Sequence, residues 1–424
     1  MGLLIKNGRV IDPANNLDAE LDILVEDTRI SRVAKNIKAG TNEIIDCQGK
    51  IVIPGIVDMH VHLREPGRED KETVLSGTTA ALKGGITSIL AMPNTIPAID
   101  SPENIKLLKS IIQRDAQNNV FISAAITKGR LGKEINNIAA IKEAGAIAIT
   151  DDGASVDDEK IFAQALQAAK EAKILVIAHC EDKSLSNSGV VNLGFISMKL
   201  GLRGISKESE YLRVKREIKL AEKIGARIHI AHLSCKESVE IIAQAKKDKI
   251  QVTCETAPHY FALSEEDLVD YDTNMKINPP LRTQEDLAAI KEGLKNGTID
   301  AIASDHAPHT ENEKDIEFDR AEFGKTGLES GLAVSVAELI DKKVLDWPQL
   351  VRKISLNPAR ILGINKGSLG PGADADITII DPDKEFVLEK SGILSKSKNS
   401  PFIGRKLKGL VEYTLCSGKI SYKS

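Results

Sequence analysis

The sequence predicts an α/β protein: a (β/α)8 barrel with a small composite β-sandwich domain built from both termini. Three observations lead there. Eight short apolar, β-branched runs alternate with helical segments through the middle of the 424-residue chain, while both ends read as strands without a helical period. The polar residues best suited to chemistry stand at the carboxyl ends of the apolar runs, where such barrels place their active sites.

The ends come first. "LLIKNGRVID", "ELDILVED" and "RISRVAKNI" open the chain, and "DADITIID", "KEFVLE" and "VEYTLCSGKISY" close it. All are rich in β-branched residues, so residues 1–50 and 366–424 are expected to form one β domain around a catalytic barrel of residues 51–365. The barrel strands are expected in "IVIPGIVDMHVH", "ITSILAMPN", "VFISAAIT", "AIAIT", "ILVIAHC", "RIHIAHLS", "IQVTCETAP" and "IDAIASDHAPH". Between them lie helical patterns such as "SPENIKLLKSIIQRDA", "DDEKIFAQALQAAKEA" and "CKESVEIIAQAKKD". An open doubly wound sheet is the rival, but the Gly84-Gly85 pair precedes a strand instead of forming a phosphate turn after one.

At the strand ends the residues suit a metal. Alternation puts His60 and His62 on one face of the first strand. Asp151 and Asp152 end the fourth, His179 the fifth, His232 the sixth and Asp305 the eighth. Four imidazoles and two carboxylates exceed the needs of one tetrahedral zinc, which points to two metals sharing a bridging carboxylate; one metal with a supporting histidine is the alternative. By the same alternation His229 should face away from His232, serving packing or the surface, and His306 should face away from Asp305. His309 lies on the loop above the barrel mouth. His259 has no assigned role, and Cys180 and Asp182 read as a buried thiol and a solvated carboxylate. The polar segment "HTENEKDIEFDRAEFGKTG" reads as a lid or a solvated loop.

Composition narrows the partners. With 57 basic and 61 acidic side chains the net charge is -4, so there is no basic field for nucleic acid or an anionic membrane. Cys47, Cys180, Cys235, Cys254 and Cys416 are scattered and odd in number, which argues against a disulfide framework. With no signal-like or membrane-length apolar run, a cytoplasmic protein acting on a small molecule is expected.

The strings "DMHVHLREPG", "AMPNT", "TDDG", "AHCED", "HIAHLS", "NPPLR" and "ASDHAPHTENEK", in this order, resemble the class I dihydroorotases of the amidohydrolase superfamily. "SLNPARILGI" and "KGSLGPGADADITIIDP" extend the likeness into the C-terminal β segment, so it spans essentially the whole chain. The resemblance implies reversible cyclisation of N-carbamoyl-L-aspartate to L-dihydroorotate, a step of pyrimidine biosynthesis, with two zinc ions per subunit. It implies His60, His62 and Asp305 as ligands of one zinc, His179 and His232 as ligands of the other, Asp152 as the bridge and Asp305 as the catalytic acid/base. His62, Arg64, Asn94, Asn278, His309, Phe323 and Gly324 match substrate contacts. A guanidinium at Arg64 suits a substrate carboxylate, which neutral hydantoins and dihydrouracil lack. Many amidohydrolases bridge their metals with a carboxylated lysine; "AITDDG" offers none, so the bridging duty falls to Asp152. The runners-up are allantoinase, or a dihydropyrimidinase or hydantoinase. From another class comes a non-catalytic partner of aspartate carbamoyltransferase, which should have lost ligands that are all present here. A homodimer or a complex with that carbamoyltransferase fits the same resemblance.

Overall fold

The apolar run "KIVIPGIVDMHVH", read as one strand, divides at Pro54-Gly55 into two strands that serve different sheets. The computed structural model describes residues 2–40 and 43–424. Ile51–Pro54 pairs with Leu3–Asp12 on one side and with Ile377–Val387 on the other, inside a mixed eight-stranded sheet made from both ends of the chain. Residues 51–54, assigned to the barrel by sequence, thus pair within the terminal β domain. Ile56–Val61 begins the barrel. The break has a local cause: Pro54 has no N–H to continue a ladder, and a Cβ on Gly55 would lie 2.1 Å from Thr87 Oγ1.

The barrel strands, numbered one to eight in order, are Ile56–Val61, Ile86–Ala91, Asn119–Ala124, Ala148–Ile149, Leu175–Ala178, Ile228–Ile230, Val252–Thr256 and Ala301–Ile302. Each is parallel to its neighbour in sequence order. A parallel bridge between Val61 and His306, with His62 N–H donating to His306 O at 2.9 Å, brings the last strand against the first. The result is a nearly closed α/β barrel. The helices outside it follow the sequence pattern. In Glu159–Ala172 the Asp158 carboxylate caps the N-terminus by accepting from Lys160 N and Ile161 N. Phe162, Ala165, Leu166 and Ala169 recur at helical spacing and are buried on the barrel. Full burial of Phe162 or Leu166 contributes about 1.5–3 kcal/mol each.

Inside the barrel, Val57, Met59, Leu90, Ala148, Leu175, Ile177, Ala231 and Ala301 form one apolar cluster, plugged by Ala359, Ile361 and Leu362 of the helix Asn357–Leu362. Simple alternation would then turn His60 outward. A register shift against strand two, with Asp58 opposite Ile89 but Val61 opposite Ala91, inserts one extra residue there. That bulge returns His60 and His62 to the interior side above the plug. All five cysteines are free and buried. Among the described residues no helix is long and apolar enough to cross a membrane.

Candidate active site and metal centre

Asp152 is the centre of the barrel mouth. Its Oδ1 lies 3.3 Å from His60 Nε2, 3.6 Å from His179 Nδ1 and 3.7 Å from His232 Nε2, and its Oδ2 lies 3.4 Å from His62 Nε2. Asp305 Oδ1 completes the group at 3.8 Å from His60 and 3.9 Å from His62. All six side chains are buried. Burial resists ionisation of Asp152, but the imidazoles, His60 foremost, overcome it and hold the carboxyl well below its usual range. The neighbouring Asp151 has a different task. It accepts from Ile126 N at 2.8 Å and Thr127 N at 3.1 Å, and the Thr127 hydroxyl also donates to it, tying the end of strand four to the loop after strand three.

The donor set fits a divalent cation. His60 Nε2 and Asp152 Oδ1 are buried without a hydrogen-bond partner although they face each other. His60, His62 and Asp305 form one group able to hold an ion; His60, Asp152 and His232 form a second. The first group coincides with the ligands expected for one zinc. In the second, His60 stands where His179 was expected, while His179 Nδ1 sits 2.8 Å from His232 Nε2.

The outer nitrogens are also controlled. His60 Nδ1 meets Glu255 Oε1 at 2.8 Å, and an ionised carboxylate can only accept, so Nδ1 carries a proton and Nε2, which faces Asp152, is the nitrogen that would bind a cation once unprotonated. Asn94 Oδ1 does the same for His62 at 2.7 Å. Glu181 Oε2 stands 3.4 Å from His179 Nε2 and accepts from Asn278 Nδ2 at 3.1 Å.

Glu255 had no place in the sequence reading, yet a glutamate inside an apolar strand, "QVTCETAP", was a usable signal. Burial disfavours its charge, and hydrogen bonds from His229 and His60 overcome that, holding it down to about 2. His229 therefore departs from expectation. It lies inside the barrel, with Nε2 3.4 Å from Glu255 Oε2 and Nδ1 2.8 Å from Thr253 Oγ1. The cause is backbone geometry: His232 is left-handed, at φ 34°, so alternation fails between the two histidines and both reach the interior. Arg64 and Asp305 are also left-handed, at φ 62° and 47°, so three of the residues at the mouth hold conformations that cost energy in most contexts.

Glu255→Gln should lower affinity for a divalent metal by about 10- to 100-fold, because His60 loses the anion that orients it. Competition against a chelator measures this, and unaltered affinity would show that Glu255 only fills space.

The remaining expected contacts form the rim. Arg64 donates from Nε to Pro308 O at 3.2 Å, and its Nη2 lies 3.1 Å from His309 Nε2. Burial lowers its pKa to about 10, still cationic at neutral pH. The ammonium of Lys276 sits 4.7 Å from the centre of the Phe323 ring. Gly324 holds φ 140°, and a Cβ there would lie 2.5 Å from Ala307 O and 3.0 Å from His309 Cδ2, so only glycine fits. The segment from His309 to Gly327 is anchored at its ends and at Lys314, while Glu311, Asn312, Asp315, Glu317, Asp319, Arg320 and Glu322 are exposed. Lys314 is buried, donating to Glu322 O at 2.8 Å and Gly324 O at 3.0 Å, and Gly324 N–H donates to Lys276 O at 2.9 Å. His306 turns away from Asp305 to Glu72, 3.2 Å distant. His259 is fully buried, its Nε2 3.8 Å from Asp305 Oδ2.

Residues 49–238 match the family described as Dihydro-orotase-like. The chain is 51% identical to a dihydroorotase of Elusimicrobium minutum, over 100% of this chain and 98% of that one. It is 49% identical to a dihydroorotase of Geotalea daltonii over the full length of both. Among solved structures, the L-hydantoinase (dihydropyrimidinase) of Arthrobacter aurescens superposes with a TM-score of 0.89 at 25% identity, covering 99% of this chain and 95% of that one. Full-length identity near one half, together with a barrel mouth in which every ligand position of the resemblance is filled, places this chain in the dihydroorotase family.

Proposed function

We propose that the chain interconverts N-carbamoyl-L-aspartate and L-dihydroorotate and holds two zinc ions on His60, His62, Asp152, His179, His232 and Asp305. The observation that carries this reading is the juxtaposition, at one mouth, of an anion-centred histidine cluster with the guanidinium of Arg64. Zinc held there polarises an amide carbonyl and makes water acidic enough to attack it near neutral pH.

The protein's own groups do the rest. Arg64 grips the substrate carboxylate through its planar fork, and the half-buried amides of Asn94 and Asn278 orient the ring. In ring opening, water adds to the ring amide carbon and the bond from that carbon to the ring nitrogen breaks. Asp305 accepts a proton from the water and delivers it to the departing nitrogen. Ring closure reverses each transfer. Phe323 and Gly324, beside Lys276, would contact the substrate from the loop above.

The fold neighbours raise a second reading, hydrolysis of a neutral cyclic amide, and Arg64 weighs against it. The test is an assay of dihydroorotate, dihydrouracil, hydantoin and allantoin on zinc-reconstituted protein, with metal content measured on the same sample. Dihydroorotate is expected to be preferred, with two zinc ions per chain. Preference for an uncharged substrate would overturn the assignment, and a single zinc at full activity would overturn the metal count.

A further inference from the structure

A strap from the C-terminal part of the chain lies along the rim. Residues 395–400 come after the strand Ile377–Val387 of the terminal sheet, and they are fastened to the barrel loops at several points. The Ser395 hydroxyl and Lys396 N–H donate to the two oxygens of Glu72, the latter at 3.0 Å, and the Ser397 hydroxyl donates to Lys71 O at 2.7 Å. Thr326 N–H donates to Asn399 O at 2.8 Å.

The buried side chain of Asn399 joins two segments of the rim. Its Oδ1 accepts from His309 N–H at 3.1 Å, and its Nδ2 donates to Gly324 O at 3.1 Å. A backbone N–H can only donate and a backbone carbonyl can only accept, so both partners require the same orientation of the amide. The opposite orientation would set donor against donor and acceptor against acceptor. The two segments meet beside this bridge: a Cβ on Gly324 would lie 3.0 Å from His309 Cδ2, so the glycine lets the imidazole close against its backbone. Lys314 donates to Gly324 O at 3.0 Å, and Gly324 N–H donates to Lys276 O at 2.9 Å. Those bonds fix Gly324 to Lys314 and Lys276; Asn399 ties it to His309.

We propose that Asn399 is a positioning residue whose side-chain amide clamps the backbone of His309 to that of Gly324, holding two substrate contacts at the spacing that dihydroorotate needs. The proposal rests on the reading of His309 and Gly324 as substrate contacts. It gives the C-terminal segment a part in binding, exerted on the contacts and not on the reacting atoms. Because the clamp organises the free site, its loss should weaken binding of the ground state and the transition state alike.

In metal-loaded protein, Asn399→Ala should raise KM for dihydroorotate about tenfold while kcat stays within about threefold and metal content is unchanged. Ser397→Ala, which loosens the strap but spares the clamp, should leave KM within about twofold. Residue-resolved hydrogen exchange carries its own control. In Asn399→Ala the His309 amide loses its acceptor and should exchange at least about tenfold faster, whereas the Thr326 amide, bonded to a backbone carbonyl that alanine keeps, should not. Equal acceleration of both amides would mean that Asn399 only fastens the strap, and that result overturns the proposal, as does an unchanged KM. If Asn399→Ala folds poorly, Asn399→Asp decides. It keeps an acceptor for His309 N–H but turns a carboxylate toward Gly324 O, so the His309 amide should stay slow while KM still rises. A folded Asn399→Asp with the wild-type KM overturns the clamp. His309→Gln with unchanged KM would defeat the reading of His309 as a substrate contact, and the exchange rates would still judge Asn399.

Discussion

If Asp152 bridges the two zinc ions proposed above, Asp152→Ala should lose bound metal and at least about 1,000-fold in kcat/KM, the largest effect expected of any single substitution in the chain. Four imidazoles converge on this carboxylate within 3.7 Å, and removing it leaves cations there with no central anion to neutralise them. The fold should survive, because the side chain of Asp152 makes no hydrogen bond that holds one element to another; Arg130 meets its backbone oxygen, which alanine retains. Asp151→Asn supplies the contrast. That side chain secures the loop after strand three, so the cost should appear as about 1–3 kcal/mol of stability with zinc retained. Metal analysis and thermal unfolding of the two variants separate the roles. Zinc retained at near-normal turnover in Asp152→Ala would remove the bridging assignment.

Arg64→Met should keep its zinc and lose on the order of 2–4 kcal/mol of transition-state binding, about 30- to 1,000-fold in kcat/KM for dihydroorotate. The guanidinium is the rim group whose geometry matches a carboxylate in two places at once, and its Nε is already anchored on Pro308 O. Backbone strain does not confuse the comparison, since arginine and methionine suffer alike at φ 62°. Arg64→Lys should recover little, because an ammonium cannot reproduce the fork. Steady-state rates with dihydroorotate and with dihydrouracil provide the check: the loss should be confined to the carboxylated substrate. An equal loss on both would mean that Arg64 shapes the mouth without reading charge.

Much of this site could be read from residue order alone because a parallel barrel converts strand ends into neighbours. His60, His62, Asp152, His179, His232 and Asp305 needed only that rule to converge. Where alternation breaks, the reading failed. His229 was turned the wrong way because a left-handed residue at His232 is invisible in a side-chain pattern. The inward aim of His60 was right, but the bulge that reconciles it with Met59 was not foreseen. Asp152 was chosen over Asp151 by the resemblance alone; the hydrogen bonds that occupy Asp151 come from Ile126 and Thr127 in the loop after strand three, which strand ends alone do not reveal. Glu255 escaped notice because it acts on a histidine far away in sequence, and pattern alone cannot pair them.

The division of the first apolar run at Gly55 bears on how the protein is made. Ile51–Pro54 is completed by Ile377–Val387, a strand that leaves the ribosome only after the whole barrel has been synthesised. Until then one edge of a fully buried, β-branched strand lacks that partner, next to the segment that carries His60 and His62. Nascent chains stalled before residue 377 should therefore be more dependent on chaperones, and more prone to aggregate, than chains stalled after residue 416. The late-arriving strands close the edge beside which His60 and His62 are hung.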